Sequence, residues 1–270
     1  MTLTIASLHI YPVKSLGGFG VAEARTTDRG FAHDRRWMLV DGNGRFLSQR
    51  ELPAMACLHC APLANGFRVT DIRGGGALDL PWGITEGASV DATVWNDTVR
   101  VIATPEEATA WFTHRLGAPC TLVFMPDSTQ RSVDPAYATG ITSLGDGFPY
   151  LILSQASLDD LNGRIASAQP LTMDRFRPNI VIAGGSAYQE DGWQAITIGK
   201  TGFSLVKPCA RCAIPTTDQN TGERGPEPLR TLAGFRRGTA RNGSPGVFFG
   251  VNAMAEAGSV VRVFDTVHIV

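Results

Sequence analysis

The chain has 270 residues, 24 Lys and Arg against 25 Asp and Glu, and 43% hydrophobic residues, with a net charge of −1. That balance gives no footing for nucleic acid or an anionic membrane as the main partner, and the even spread of apolar residues excludes a disordered or fibrous chain. The length suits one large domain or two small ones, each with a proper core.

The N-terminal MTLTIASLHIYPVKS has no basic stretch leading into an apolar one, so it does not read as a signal peptide. No apolar run approaches the length of a membrane span. Short β-type runs follow one another: IASLHIYPV (5–13), RRWMLVD (35–41), GRFLSQR (44–50), GFRVTDI (66–72) and TVRVIAT (98–104). Each carries β-branched or aromatic residues between turn signals. Asp41-Gly42-Asn43-Gly44 reads as a tight hairpin, and RGGGA (73–77) as another turn. Strands at this spacing suggest an antiparallel barrel or sandwich rather than βαβ units.

PEEATAWFTHRLG (105–117) predicts the first helix, with Pro105 at its start, Glu106 and Glu107 at the positive end and Gly117 as its stop. The polar stretch DSTQRSVDPAYATG (127–140) reads as a long surface loop, of a length that suggests a lid or binding loop. SQASLDDLNGRIA (154–166) predicts a second helix, capped by Ser154, with Leu158, Leu161 and Ile165 on one face. A third is read over EPLRTLAGFR (227–236), and FRPNIVIAG, WQAITIG, TGFSLVK, PGVFFGV and SVVRVFDTVHIV are strand-like. The expected fold class is mainly β with a few helices (α+β). A β-rich N-terminal part and a second β-rich unit are expected as domains 1–120 and 121–270.

The five cysteines are Cys57, Cys60, Cys120, Cys209 and Cys212. An odd number in a chain of this size argues against a secreted disulfide framework, so a reducing cytoplasm is the expected setting. They include two Cys-x-x-Cys pairs, Cys57/Cys60 and Cys209/Cys212. A four-thiolate zinc site is one reading, but zinc ribbons separate their pairs by about fifteen to twenty residues, and here more than half the chain intervenes. A thioredoxin-type pair needs a helix after its second cysteine, and Ile214, Pro215 and Thr216 do not start one. A single metal-ligating or nucleophilic thiolate is a third reading, favoured by Lys207 and Arg211 beside the pair. Burial as plain small hydrophobes is the fourth, and it is the reading for Cys57, Cys60 and Cys120. The residues alone leave Cys209 and Cys212 open between function and burial. Lys14, Ser15, Asp34, Arg35, Arg36, Arg177 and Asn179 stand beside strand-like segments, where they form either a solvated face or a pocket for a phosphate-bearing ligand. The five histidines have no ligand spacing, and no G-x-S-x-G, Walker loop, GxGxxG or HExxH is present.

YPVKSLGG (11–18), DRRWMLVD (34–41), FPYLILSQASLDDLN (148–162), FRPNIVI (176–182) and KPCARCAIPTTDQNTGE (207–223) resemble the MOSC family, in the branch with an N-terminal β-barrel domain that includes the amidoxime-reducing components. The resemblance runs in order along almost the full chain. It implies an N-terminal MOSC-associated β-barrel-like domain packed on a MOSC β-barrel domain, with a molybdenum cofactor (molybdenum–molybdopterin) between them. It implies Cys212 as the molybdenum ligand. It further implies cofactor contacts at Lys14, Ser15, Arg35, Arg177, Asn179, Lys207, Pro208, Cys209, Arg211 and Asn252, with Cys209 off the metal. Asp218 is a candidate for proton handling or for supporting the ligand from behind. The implied activity is reduction of small N-hydroxylated compounds, catalysed at Cys212, with electrons from external ferredoxin- or flavoprotein-type proteins and no nucleic-acid or membrane partner. A non-catalytic cofactor or sulfur (persulfide) carrier is the alternative. Two departures matter: no ferredoxin-like cluster motif precedes Val270, and Pro215 stands where relatives often have Thr.

Overall fold

The computed structural model describes residues 2–165, 167, 169–241 and 243–270. The chain begins with β1 (Thr4–Ile10), β2 (Phe19–Val21), β3 (Glu23–Thr27), β4 (Gly30–Phe31), β5 (Trp37–Val40), β6 (Leu58–Leu63), β7 (Gly66–Asp71), β8 (Gly76–Pro81), β9 (Ser89–Val94), β10 (Asp97–Ala103) and α1 (Glu106–Leu116). It continues through β11 (Thr121–Phe124), β12 (Tyr150–Ser154), α2 (Gln155–Ile165), β13 (Ile180–Ala183), β14 (Ala195–Ile198) and β15 (Thr201–Ala210). It ends with α3 (Leu229–Phe235), β16 (Arg237–Thr239), β17 (Pro245–Ala255), β18 (Val260–Arg262) and β19 (Val267–Ile269). Among the described residues the fold is mainly β with three α-helices, as the sequence predicts.

The largest sheet runs β19-β14-β15-β17-β12-β13-β1-β2, with β16 beside β17. Its neighbours are antiparallel except β12 and β13, which run parallel across the α2 crossover. A second sheet runs β5-β11-β10-β9, and two three-stranded sheets run β18-β3-β4 and β6-β7-β8. The N-terminal strands therefore do not stay together. β1 lies in the large sheet against β13, and β3 pairs with β18. Ile5, Leu8, Ile10 and Phe31 accordingly share one core with Tyr150, Ile180, Ile196 and Phe203. A separate core gathers Trp37, Phe67, Phe112 and Leu122 beneath α1.

α1 ends at Gly117, whose φ of 64° closes it on the carbonyl of Thr113. Ser154 caps α2 by accepting from the Ser157 amide at 3.1 Å. Two predicted strands differ. Residues 44–50 form only isolated bridges, Arg45 to Thr93 and Val40 to Phe46. Past them, Ser48 turns to bond Glu51, and the Gln49 amide donates to the Ser15 carbonyl at 2.8 Å. The C-terminal run is two short strands, broken where Phe264 takes a φ of 72° and stands 81% exposed. The stretch at 127–140 lies mostly at the surface, as the sequence predicts, and is pinned by Arg131, which is buried, paired to Asp97 at 2.7 Å and donating to the carbonyls of Ser143 and Gly145.

Candidate functional site

One cavity of about 290 Å³ lies where the two β-rich parts meet. Lys14, Ser15, Arg35, Arg177, Asn179, Lys207, Pro208, Cys209, Arg211, Cys212 and Asn252 all line it. Asp34 lines it as well, whereas Arg36, paired with Asp127 at 2.8 Å, and Asp218 do not.

The C-terminal wall comes from β15 and its partner β17. Their register shifts between Leu205 and Lys207 and again between Pro208 and Ala210. These irregularities accommodate Pro208 within a strand and re-aim the side chains around it. The Lys207 carbonyl accepts from the Asn252 amide at 3.1 Å, and Lys207 lies 4.2 Å from the Tyr137 ring and 3.5 Å from Asp134. Cys212 follows the strand, ahead of a single 3-10 turn at Ile214–Thr216. That turn is too short for the helix of a thioredoxin-type pair. Cys209 and Cys212 are both half-buried free thiols, and burial pushes the Cys209 thiol up. Cys57, Cys60 and Cys120 are buried and outside the cavity. Among the described residues no group of three or more His, Cys, Asp or Glu can hold a metal, which removes the four-cysteine zinc reading.

On the facing side Tyr11 is stacked by cations from both parts, Arg35 from the N-terminal one and Arg177 from the C-terminal one. Arg35 and Arg177 lie 4.3 and 4.5 Å from its ring centroid, and Arg35 also pairs with Asp34 at 2.6 Å. Burial pushes the Tyr11 hydroxyl up to about 12. Burial, then Arg35, lowers the Arg177 guanidinium to about 10. Lys14 is buried, donating to the Gly145 carbonyl at 3.1 Å and to Asp146 at 2.9 Å. Burial lowers its pKa against the opposing pull of Asp146. Asn179 lines the cavity, but its side-chain amide is spent on strand backbone, donating to His9 and accepting from Leu151, each at 3.3 Å. It fixes the junction of β1 and β12 rather than offering a free donor.

Asp218 reaches the cavity only through Arg175, which lines it and donates to the Asp218 carboxylate at 2.6 Å. Burial opposes ionisation of Asp218, but the Asn220 and Thr221 amides and the charge of Arg175 outweigh it and hold the carboxyl below its usual value. Sequence reasoning missed Arg175, Asp146 and Trp95 as lining residues. Only Arg175 carried a signal, as the cation immediately ahead of the FRPNIVI run.

Six cationic and two acidic side chains line a cavity in a chain of nearly neutral total charge. Arg177 and Arg211 have backbone carbonyls as hydrogen-bond partners, and the Nη2 of each is buried without one. A buried donor left unpaired is costly, so two such donors in a cationic cavity fit an anionic ligand. Ser15, Arg35, Trp95 and Arg177 hold φ of 67, 48, 58 and 58° along the same lining, a concentration of strained backbone typical of a ligand site. A soft thiolate on this cradle suits a metal that already brings its own ligands.

The MOSC N-terminal beta barrel domain matches residues 2–119 and the MOSC domain residues 139–268. Mitochondrial amidoxime-reducing component 1 of Mus musculus is 33% identical over 247 residues, covering 86% of this chain and 71% of that protein. The chain belongs to the MOSC family. Its MOSC relatives also include the molybdenum cofactor sulfurase of Oryza sativa subsp. japonica, 31% identical over 86% of this chain, and that of Homo sapiens, 29% identical over 86%. The chain spans only 31% and 28% of the length of those two sulfurases. No helix among the described residues is long and apolar enough to cross a membrane.

Proposed function

We propose that the cavity binds the molybdenum cofactor and that the protein reduces N-hydroxylated compounds, using electrons from separate ferredoxin- or flavoprotein-type donors. The observation that carries this is the meeting of Cys212 with the unpartnered donors of Arg177 and Arg211 in one cationic cavity. Cys212 would supply the protein's thiolate to the metal. Arg177, Arg211, Lys14 and Arg35 would balance the phosphate and the sulfur charge. When bound, the cofactor supplies the redox chemistry that removes the N-hydroxyl oxygen. Overall the N–O bond breaks, two electrons come from the donor protein and two protons from solvent, and the reduced nitrogen compound and water leave. Asp218, ionised and committed to Arg175, acts as a positioning residue for the turn after Cys212.

The protein is tested by expression in a host that makes the cofactor, with molybdenum and pterin measured on the purified chain. Cys212→Ser is expected to lose metal and activity together, and Cys209→Ser to keep most of both. The reverse ranking, or a wild-type chain without molybdenum, overturns the reading.

A second reading, a cofactor or persulfide carrier, is favoured by the match to the sulfurases and by a half-exposed Cys212 among cations. It predicts cofactor binding, or a sulfur adduct on Cys212 by mass, with no turnover of an N-hydroxylated compound by a chemically reduced protein.

A further inference from the structure

The thiols and cations of the cavity are used by the reading above; Trp95 is not. It is the first of two residues joining β9 to β10, where Val94 pairs with Asp97. Two-residue hairpins give this position to Gly or Asn, because the backbone must take a positive φ. Trp95 holds it at 58°. A bulky side chain in that region is strained, and such strain persists where the placement of the side chain is needed.

The hairpin sets the indole at the rim. Trp95 is 37% exposed and shares the rim with the exposed Asp146, Pro208 and Ala210, whereas Lys14, Ser15 and Asn179, deeper in the lining, are 5% exposed or less. The ring is braced by the Arg50 guanidinium at 4.3 Å, by Phe46 at 5.2 Å and by the Lys14 ammonium at 5.7 Å from its centroid. A cavity of about 290 Å³ is small for a cofactor site, so a resident cofactor leaves the rim as the place where a second molecule meets the protein. Resting on the cofactor-and-reductase reading of this site, we propose that Trp95 is the stacking platform for the substrate. The substrate class is then flat: N-hydroxylated compounds whose nitrogen is borne on an aromatic or conjugated group.

Wild type, Trp95→Asn and Trp95→Phe, each loaded with cofactor, are titrated calorimetrically without reductant, using phenylhydroxylamine and N-methylhydroxylamine. Trp95→Asn is expected to weaken phenylhydroxylamine binding roughly threefold to tenfold more than N-methylhydroxylamine binding, the range of an aromatic pair. Trp95→Phe should recover most of the difference. The thermal midpoint of Trp95→Asn should hold or rise, because Asn tolerates the left-handed backbone. Equal weakening of both probes, no weakening, or no binding of either by wild type overturns the proposal. So does a lowered midpoint with unchanged binding, which marks Trp95 as packing only. Loss of molybdenum and pterin from Trp95→Asn assigns the ring to the cofactor and overturns the substrate role. A loaded wild type that binds phenylhydroxylamine selectively but never reduces it counts against the reductase reading and leaves the stacking result standing.

Discussion

Lys14 and Asp146 join the two β-rich parts across the cavity, and their unequal exposure decides how the pair behaves. Lys14 has 6% of its side chain exposed and Asp146 has 71%. The charge of Lys14 is the main reason the Asp146 carboxyl lies well below the usual carboxylate range. Folding thus favours the ionised acid. Its contribution is whole above the ordinary carboxyl value of 3.8 and is lost as pH falls below it. Asp146→Asn is expected to cost about 1–2 kcal/mol near neutral pH, less than a fully buried pair because one partner is solvated. Urea melts across pH should show the gap closing in acid; a gap that persists there counts against the pair. Asp146 itself was not legible in the sequence. It sits in SLGDGF, a polar turn whose distance from Lys14 in the chain hides their contact. Most of the motif-borne residues were legible because all but Asn252 lie in a quoted run, and all but Asp218 converge on one lining. Trp95 was illegible for another reason: only its backbone angle, not its neighbours in sequence, sets it apart.

Strands and helices were mostly readable from alternation and caps, while their irregularities were not. The register shifts that aim Lys207 and Cys209 depend on β17, some forty residues downstream, so no local pattern announces them. Residues 44–50 carry Phe46 beside a turn signal as a strand does, yet the Ser48 and Gln49 side chains bond Glu51 and the Ser15 carbonyl, and the segment leaves the ladder. Glycines give a graded test of element geometry. Gly117 has φ 64° and open space where a Cβ would stand, so Gly117→Ala should cost about 1 kcal/mol from the backbone alone. Gly250, in β17, has φ 80°, and a Cβ there would meet the Leu153 side chain at 2.8 Å and the Ile152 carbonyl at 2.9 Å. Gly250→Ala should therefore cost more, about 2–4 kcal/mol. Thermal denaturation of the two variants should rank them in that order; equal losses would mean that β12 yields freely.

At the scale of the molecule, the β-rich character and the two family domains were legible, but the exchange of strands was not. β1 leaves the N-terminal part to pair with β13, bringing Ile5, Leu8 and Ile10 into the second core. Residues 121–270 alone would lack that strand and leave an apolar edge open. This fragment is expected to be insoluble or to show no cooperative melt by near-ultraviolet circular dichroism, while the full chain melts cooperatively; a well-folded fragment would contradict the shared core. The same pairing also sets a timetable for making the protein. Ile5 meets Ile182, so β1 must wait for its partner while the ribosome works, roughly nine to thirty-five seconds at about 5–20 residues per second. Asn252, on the cavity wall, is made later still. The pocket therefore does not exist until Asn252 has been made, and whatever it holds must be delivered to a chain that already carries every wall of the site.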